Sequence, residues 1–369
     1  MTSVSLSRAL PRPSNLALVA AFGAVYVFWG VTFLAIRYAV LDGVPPLIVI
    51  GVRCLFGAAI LYAWLAARGD WKPTSLAQWR TAGIAGVFLF VGGHSAMAWA
   101  EQWIDSGETA LLMTTIPLWL VVLTAIVQRR APGSRVIAGL GLGVAGVTVL
   151  TIDAGTWSGY ALPRVVLLVC ALAWAVGSII ARDGARPASA VQSTAMQLAA
   201  GAFAVTVLSL ASGDLGRWEP SALTARAAWA LAFLVIGGTV LGFAAYTWLL
   251  QVTTPAAVGT YAFVNPVVAV ALAGAVGDAE ITLGTVAASA LVLASVALTR
   301  PLGASTSARA ARRDHVAHGT PEPAGSTDQP GDTRRRTRRH DRVPVQWIDR
   351  VARVVMIAAP APLLVGLLR

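Results

Sequence analysis

Hydrophobic residues in this chain form long apolar blocks that are separated by short polar turns. Each block has about 20 residues, the length that an α-helix needs to cross the hydrocarbon core of a membrane. The pattern predicts ten spans, at residues 16–36, 46–67, 82–102, 107–127, 136–152, 163–181, 189–211, 228–250, 254–276 and 281–299. The alternative is a soluble protein with several buried helices, which rarely contains so many uninterrupted apolar runs.

One hairpin of two spans occurs twice. Residues 99–117 read WAEQWIDSGETALLMTTIP, and residues 248–266 read WLLQVTTPAAVGTYAFVNP. An offset of 149 aligns Trp99 with Trp248 and Pro117 with Pro266, and upstream an offset of 145 aligns Trp29 with Trp174. Residues 16–152 and 163–300 are therefore predicted to be two copies of one five-helix unit. Because five is odd, the second copy must be inverted in the membrane, as in many secondary transporters.

The positions of lysine and arginine in the loops predict the orientation of the protein. With a cytoplasmic N-terminus, residues 1–15, the inside loops carry ten basic residues and the outside loops carry four. The four on the outside are Arg37, Arg164, Arg217 and Arg226. Both termini are therefore predicted to be cytoplasmic, in a multi-pass protein of the inner or plasma membrane.

Charge is scarce in the spans and concentrated in the C-terminal tail. Only 12% of all residues are charged, about half of the usual share in soluble proteins. Residues 301–369 are rich in arginine and proline, and their composition predicts disorder up to a short apolar end at residues 354–368. The basic run Arg334–Arg342 is expected to attract anionic lipid headgroups or simply to be solvated, whereas nucleic-acid binding is not expected.

The order of several short motifs along the ten spans resembles one known family. The motifs are WGVTFLAIR at 29–37, PPLIVIGVR at 45–53, WAEQ at 99–102 and YAFVNPVVAV at 261–270. The chain thereby resembles the EamA-domain branch of the drug/metabolite transporter superfamily over residues 16–300. This resemblance implies an all-α integral membrane protein with two EamA repeats, which exports or exchanges small metabolites, amino acids or drugs. Relatives more often have a Gly-Glu pair where this chain has GDAE at 277–280.

Ionisable residues inside spans are costly and are therefore candidates for function. Arg53 lies inside the second span, either facing a cavity where it pairs with an anionic substrate group or fixing one helix to another. His94 and Glu101 lie seven residues apart in the third span, close to two helical turns, so they are predicted to share a face. The pair is a candidate for proton coupling, and polar helix contacts are the alternative.

The two intraspan prolines mark the predicted cavity. Each proline removes a backbone hydrogen bond and kinks its helix, and polar side chains precede both of them. The cavity candidates from both copies are Gln102, Thr114, Thr115, Pro117, Tyr246, Thr260, Tyr261, Asn265 and Pro266. Trp99 and Trp248 are candidates for either the cavity or the interfacial aromatic belt.

Glycines in the fifth span indicate packing rather than a ligand site. Gly139, Gly143 and Gly146 leave one side of that helix bare, which suits close contact with a neighbouring helix or a twin subunit in a homodimer.

Cys54 and Cys170 both lie in apolar segments and predict neither a disulfide nor a metal site.

These observations predict a secondary transporter that works by alternating access on a small-molecule substrate, with no cofactor and no metal. A nucleotide-binding P-loop sequence is absent from the chain. A channel or a non-transporting scaffold is the alternative, and an intramembrane enzyme is less favoured because His94 is the one histidine outside the tail. Spans 3, 4, 8 and 9 are expected to line the cavity, and the coupling ion and the substrate stay open.

Overall fold

The computed structural model describes residues 14–128, 131, 133–153, 161–253 and 261–299. Within these residues the protein is all-helical, without a β-strand. The tail at residues 301–369, with Arg334–Arg342, lies outside the described residues. Ten helical rods are described here and numbered in chain order: α1 Asn15–Leu41, α2 Pro46–Ala67, α3 Leu76–Ala100, α4 Ser106–Met113 continuing as Ile116–Gln128, α5 Ser134–Asp153, α6 Ala161–Asp183, α7 Ala190–Ser212, α8 Ala225–Phe233 continuing as Leu234–Leu241 and Gly242–Val252, α9 Tyr261–Ala275 and α10 Leu283–Thr299.

Seven helices of the described part are long and apolar enough to cross a membrane, namely α1, α2, α3, α4, α6, α7 and α8. Three shorter apolar helices, in α5, α9 and α10, occupy the remaining predicted spans. Large apolar side chains such as Leu16, Phe203 and Trp229 are exposed on the outside of the bundle. An apolar outer surface of this kind is what a protein immersed in lipid presents.

Helix starts follow the capping chemistry of the sequence. Five helices begin after a serine, threonine or aspartate whose side-chain oxygen accepts a backbone N–H of the first turn: Ser14 before α1, Ser75 before α3, Asp105 before α4, Ser189 before α7 and Thr224 before α8. At Ser75 the side chain of Gln78 also returns a bond to the cap, which completes a capping box. The short polar turns between the apolar blocks therefore terminate the helices as well as connecting them.

Helix packing relates equivalent positions of the two halves. Helix α2 packs along α7, α5 packs along α10, and the first half of α4 packs against α9. Helix α1 contacts α8 and α9, and α6 contacts α3 and α4. Small residues permit these approaches: an added Cβ at Gly146 would lie 2.7 Å from Val292, and one at Gly143 would lie 2.8 Å from Ser295 Oγ. The bare side of α5 is thus occupied by α10 of the same chain.

Polar contacts distinguish the two ends of the bundle. The Asp105 end contains the loops around residues 42–45, 101–105, 213–224 and 276–282, and the Lys72 end contains those around 68–75 and 184–189. At the Asp105 end Arg226 forms an ion pair with Asp42, and the hydrogen bond from Arg226 lowers the pKa of Asp42. At the Lys72 end the side chain of Gln192 donates to the carbonyl of Lys72 at 2.5 Å.

Three arginines that the sequence pattern places in outside loops lie instead inside the numbered helices, and one of them is Arg226, in the first turn of α8. Arg37 is in α1, which continues to Leu41, and Arg164 is in α6. Arg37 Nε lies 2.5 Å from Asp278 Oδ1, and Arg164 Nε lies 2.6 Å from Glu108 Oε1. Because Arg37 has a carboxylate partner, α1 continues past residue 36, where the hydropathy pattern ends the first span.

Candidate functional site

A cavity of about 450 Å³ lies inside the bundle. Eight of the helices contribute to its lining, namely α1, α2, α3, α4, α6, α7, α8 and α9. The sequence predicts only the third, fourth, eighth and ninth spans as its lining. The side chains are mostly apolar or aromatic, with a few polar groups between them, which is typical of a site for a small organic molecule.

Two π-helical turns shape the walls, in α3 at Val87–Ser95 and in α8 at Leu234–Leu241. Side chains in both turns bond to a carbonyl five residues earlier: Ser95 Oγ to Phe90 O at 2.8 Å and Thr239 Oγ1 to Leu234 O at 2.9 Å. Such turns widen a helix and often occur at functional sites. The sequence interpretation missed them, although paired glycines at 92–93 and 237–238 inside apolar spans are a signal for weakened helix geometry.

Aromatic rings form two groups in the cavity wall. Trp29 of α1 contacts Phe243, Tyr246 and Tyr261, with ring centroids 5.5, 5.3 and 5.0 Å away. The second group joins Phe90, His94 and Trp174, with centroids 5.5 Å and 4.6 Å from His94. Trp29 and Trp174, which the sequence interpretation did not place among the site candidates, therefore anchor one group each.

Two glycines leave the space that these tryptophan rings occupy. An added Cβ at Gly242 would lie 2.5 Å from the indole nitrogen of Trp29, and one at Gly93 would lie 3.1 Å from the ring of Trp174. The Trp29 indole also donates to the carbonyl of Gly238 at 3.0 Å, within the π-helical turn of α8. The position of Trp29 is thus fixed by backbone as well as by ring contacts.

Arg53 is buried in the cavity wall at 5% exposure. Its Nε donates to Thr239 Oγ1 at 3.0 Å, whereas Nη1 is buried without a hydrogen-bond partner in the described part of the chain. Gly238 faces the same place, since an added Cβ there would lie 3.8 Å from Arg53 Nη2. The guanidinium therefore has unused donor capacity beside open space.

The proline-containing helices differ from each other. Helix α4 is interrupted at Thr114 and Thr115, just before Pro117, and the two hydroxyls donate to the carbonyls of Ala110 and Leu112 at 2.8 and 2.7 Å. Helix α9 continues through Pro266. Asn265, next to it, is buried and keeps an unpartnered Oδ1 among the described contacts.

The structure brings eight of the fourteen candidate residues to the cavity wall: Arg53, His94, Thr114, Pro117, Tyr246, Tyr261, Asn265 and Pro266. The other described candidates lie elsewhere. Trp99 packs against Trp103, Gln102 donates to the carbonyl of Trp99, and Trp248 packs beside Val25 and Leu249. Thr115 is buried outside the cavity lining, and Thr260 lies outside the described residues.

Glu101 belongs to a polar cluster at the Asp105 end rather than to the cavity. Helix α3 ends at Ala100, so Glu101 caps it and does not share the cavity with His94. Arg37 Nη1 donates to the carbonyls of Glu101 and of Ile104, while Arg37 Nε binds Asp278. Asp278 also accepts bonds from Ser106 N at 3.0 Å and Oγ at 2.6 Å. The cluster ties α1, α3, α4 and the loop after α9 together.

Known proteins resemble this chain over most of its length. The EamA-like transporter family matches residues 15–152 and 163–300. An inner membrane transporter of Escherichia coli strain K12, YedA, which is described as uncharacterized, is 30% identical over 77% of this chain and 91% of its own length. The uncharacterized transporter YoaV of Bacillus subtilis strain 168 is 24% identical over 62% of this chain and 77% of its own.

A solved crystal structure supports the fold alone. It aligns with a TM-score of 0.53 and 22% identity and covers 78% of this chain and 98% of the other. The family match confirms the resemblance that the sequence motifs carry. The protein is a multi-pass membrane transporter and belongs to the EamA-like transporter family.

Proposed function

We propose that the protein is a secondary transporter that exports small organic molecules by alternating access. The observation that carries the proposal is the aromatic, partly polar cavity, which lies inside the bundle beside a tightly packed Asp105 end. Transporters of this kind bind substrate near the membrane midplane and open first to one side and then to the other.

Reciprocal contacts support two inverted repeats at residues 16–152 and 163–300. Trp29 of the first half sits against Gly242 of the second, and Trp174 of the second half sits against Gly93 of the first. These residues are the repeat equivalents of one another at the offsets of 145 and 149. A rotation that exchanges the halves would convert each contact into the other. Equal and opposite contacts are what rocking of one half against the other requires.

We propose that the cavity opens toward the Lys72 end. The lining residues nearest that end, Thr194 of α7 and Ala181 of α6, are partly exposed, whereas the lining residues nearest the Asp105 end, Met97 and Ala110, are buried. At the Asp105 end, Gly107 of α4 lies against α9, where an added Cβ would be 3.4 Å from Ala273. Arg68, Lys72, Arg80, Arg182 and Arg186 make the Lys72 end the basic one, which supports our proposal that this end and both termini are cytoplasmic. On this proposal the structure is in the inward-facing state.

Cysteine labelling tests alternating access directly, because Cys54 and Cys170 are both fully buried. We expect Thr194→Cys, in the cavity lining, to react with a membrane-impermeant maleimide from the cytoplasmic side. We expect Thr109→Cys, at 0% exposure in the closed half of α4, to stay unreactive until transport opens the Asp105 end. Thr109 is a suitable reporter position because its hydroxyl has no hydrogen-bond partner in the described structure, so the substitution breaks no hydrogen bond.

The transport assay uses proteoliposomes with a panel of labelled organic ions and amino acids, with and without a pH gradient. Alternating access predicts gradient-dependent flux, faster labelling at Thr109→Cys during turnover and slower labelling at Thr194→Cys. Flux during which Thr194→Cys and Thr109→Cys both react with the maleimide at the same time would indicate a channel. A panel without any flux, with labelling that never changes, would contradict the transporter proposal.

A further inference from the structure

We infer that the cavity selects small organic anions that carry one negative group on a planar apolar body, and that Arg53 is the residue that binds the anionic group. The inference rests on the proposed function because it names the substrate class of the same cavity. Its basis is an unsatisfied cation in an otherwise uncharged, aromatic wall.

Arg53 is the permanent cation of the described cavity lining, and the lining contains no aspartate and no glutamate. A buried guanidinium without a carboxylate is costly, since removing an ion from water is repaid only by a well-placed opposite charge. Arg53 Nε is used by Thr239, but Nη1 has no hydrogen-bond partner among the described residues. An anionic ligand oxygen at Nη1 would supply both the missing charge and the missing acceptor.

The space beside the guanidinium is preserved by Gly238. A Cβ at this position would lie 3.8 Å from Arg53 Nη2 and 3.0 Å from Thr32 Oγ1, so a larger side chain would fill the place where a ligand group can reach both. Thr32 also lines the cavity and is buried. Arg53 therefore supplies the donors of a binding position for an anionic group, and Thr32, whose hydroxyl already donates to the carbonyl of Phe28 at 2.9 Å, contributes only to the wall beside it.

The rest of the ligand must match the aromatic wall. Trp29 with Phe243, Tyr246 and Tyr261 provides one group of ring faces and edges, and Phe90 with Trp174 belongs to the second group. Aromatic groups of this kind favour planar apolar ligands. A ligand with an ammonium group is disfavoured because the described lining offers that group no carboxylate and places Arg53 in the same cavity.

Three probes of nearly equal size separate charge from shape: 3-phenylpropanoate, its neutral amide 3-phenylpropanamide, and the 3-phenylpropylammonium ion. Binding to the purified full-length protein in lipid nanodiscs is measured by calorimetry at pH 8. The expected result is at least tenfold tighter binding of the carboxylate than of the amide, and the weakest binding for the ammonium ion. Equal binding of the carboxylate and the amide to the unmodified protein would overturn the inference without any variant.

Variants assign the preference to Arg53. Arg53→Gln should bind the carboxylate and the amide equally while keeping the affinity for the amide, and Arg53→Lys should retain part of the preference. Arg68→Gln, which removes an exposed arginine at the Lys72 end, should bind like the unmodified protein. A carboxylate preference that survives in Arg53→Gln contradicts the assignment.

Flux of the same probes separates this inference from the proposed function. Gradient-dependent flux of amides or ammonium ions without flux of the carboxylate would refute the substrate class and leave the transporter intact. Tight carboxylate binding that depends on Arg53, without flux and without a change in cysteine labelling, would refute transport and leave the anion site intact.

Discussion

Replacing Glu101 with glutamine is expected to abolish transport that is driven by a pH gradient while the protein remains folded in the membrane. Glu101 is completely buried, and both of its carboxylate oxygens lack hydrogen-bond partners in the described structure. Burying an ionised carboxylate in this way costs several kcal/mol, so the neutral acid fits the closed Asp105 end much better than the anion does.

The groups around Glu101 are the basis for the expected link between its protonation and closure of the Asp105 end. Arg37, Asp278 and Asp105 act on it electrostatically, and Cys170 of α6 lies close by. Arg37 already pairs with Asp278, so a second negative charge on Glu101 would leave one carboxylate too many in a sealed site. We expect opening of this end to admit water and to permit ionisation of Glu101. Uptake of a proton would then favour closing, and the proton gradient would be coupled to the conformational change.

Glutamine has the shape of the protonated side chain and cannot release a proton. The variant is therefore expected to close regardless of pH, with Thr109→Cys protected and Thr194→Cys reactive at every pH tested. Glu219→Gln removes an exposed carboxylate at the same end and should transport normally. Unchanged pH-driven flux of the panel compounds in Glu101→Gln would show that the coupling site lies elsewhere, and His94→Ala then tests the cavity histidine in the same assay.

The sequence predicts local features of this fold well. Block length identifies the membrane helices, although the predicted third span begins at residue 82 and α3 begins at Leu76, after its cap Ser75. The duplicated hairpin points to α4 and α9, and both helices contribute residues to the cavity wall. These features depend on periodicity and on groups a few residues apart, which a single sequence displays directly.

Long-range partners are what the sequence does not display. Arg37 and Asp278 are 241 residues apart, so hydropathy ends α1 at the arginine although its partner permits the helix to continue. The π-helical turn before Ser95 and the helix end at Ala100 likewise separate His94 from Glu101, which a count of regular turns places on one face. Arg53 could be identified as a candidate, but its free Nη1 depends on Thr239 and Gly238 of the other half.

The second large effect is expected on stability, at the crossing of α3 and α7. An added Cβ at Gly86 would lie 2.8 Å from the carbonyl oxygen of Gln197 and 3.1 Å from the amide nitrogen of Gly201. Both are backbone atoms and cannot rotate away as a side-chain tip can, so Gly86→Ala must push the two helices apart. We expect a loss of about 1–3 kcal/mol in the free energy of unfolding, the usual cost of overpacking a close contact.

Gly83 supplies a matched control in the same helical segment, because nothing lies within 4 Å of an added Cβ there. Gly83→Ala should leave stability unchanged or raise it by up to about 1 kcal/mol, since alanine favours a helix over glycine. Tryptophan fluorescence during thermal unfolding in detergent measures both variants against the unmodified protein. If both substitutions change the free energy of unfolding equally, the effect comes from the backbone flexibility of α3, and the close contact with α7 is not its cause. A loss of stability confined to Gly86→Ala would show that the close contact between α3 and α7 stabilises the protein. Phe90 of α3 and Leu198 of α7 line the cavity near this contact, so the contact also holds part of the cavity wall in place.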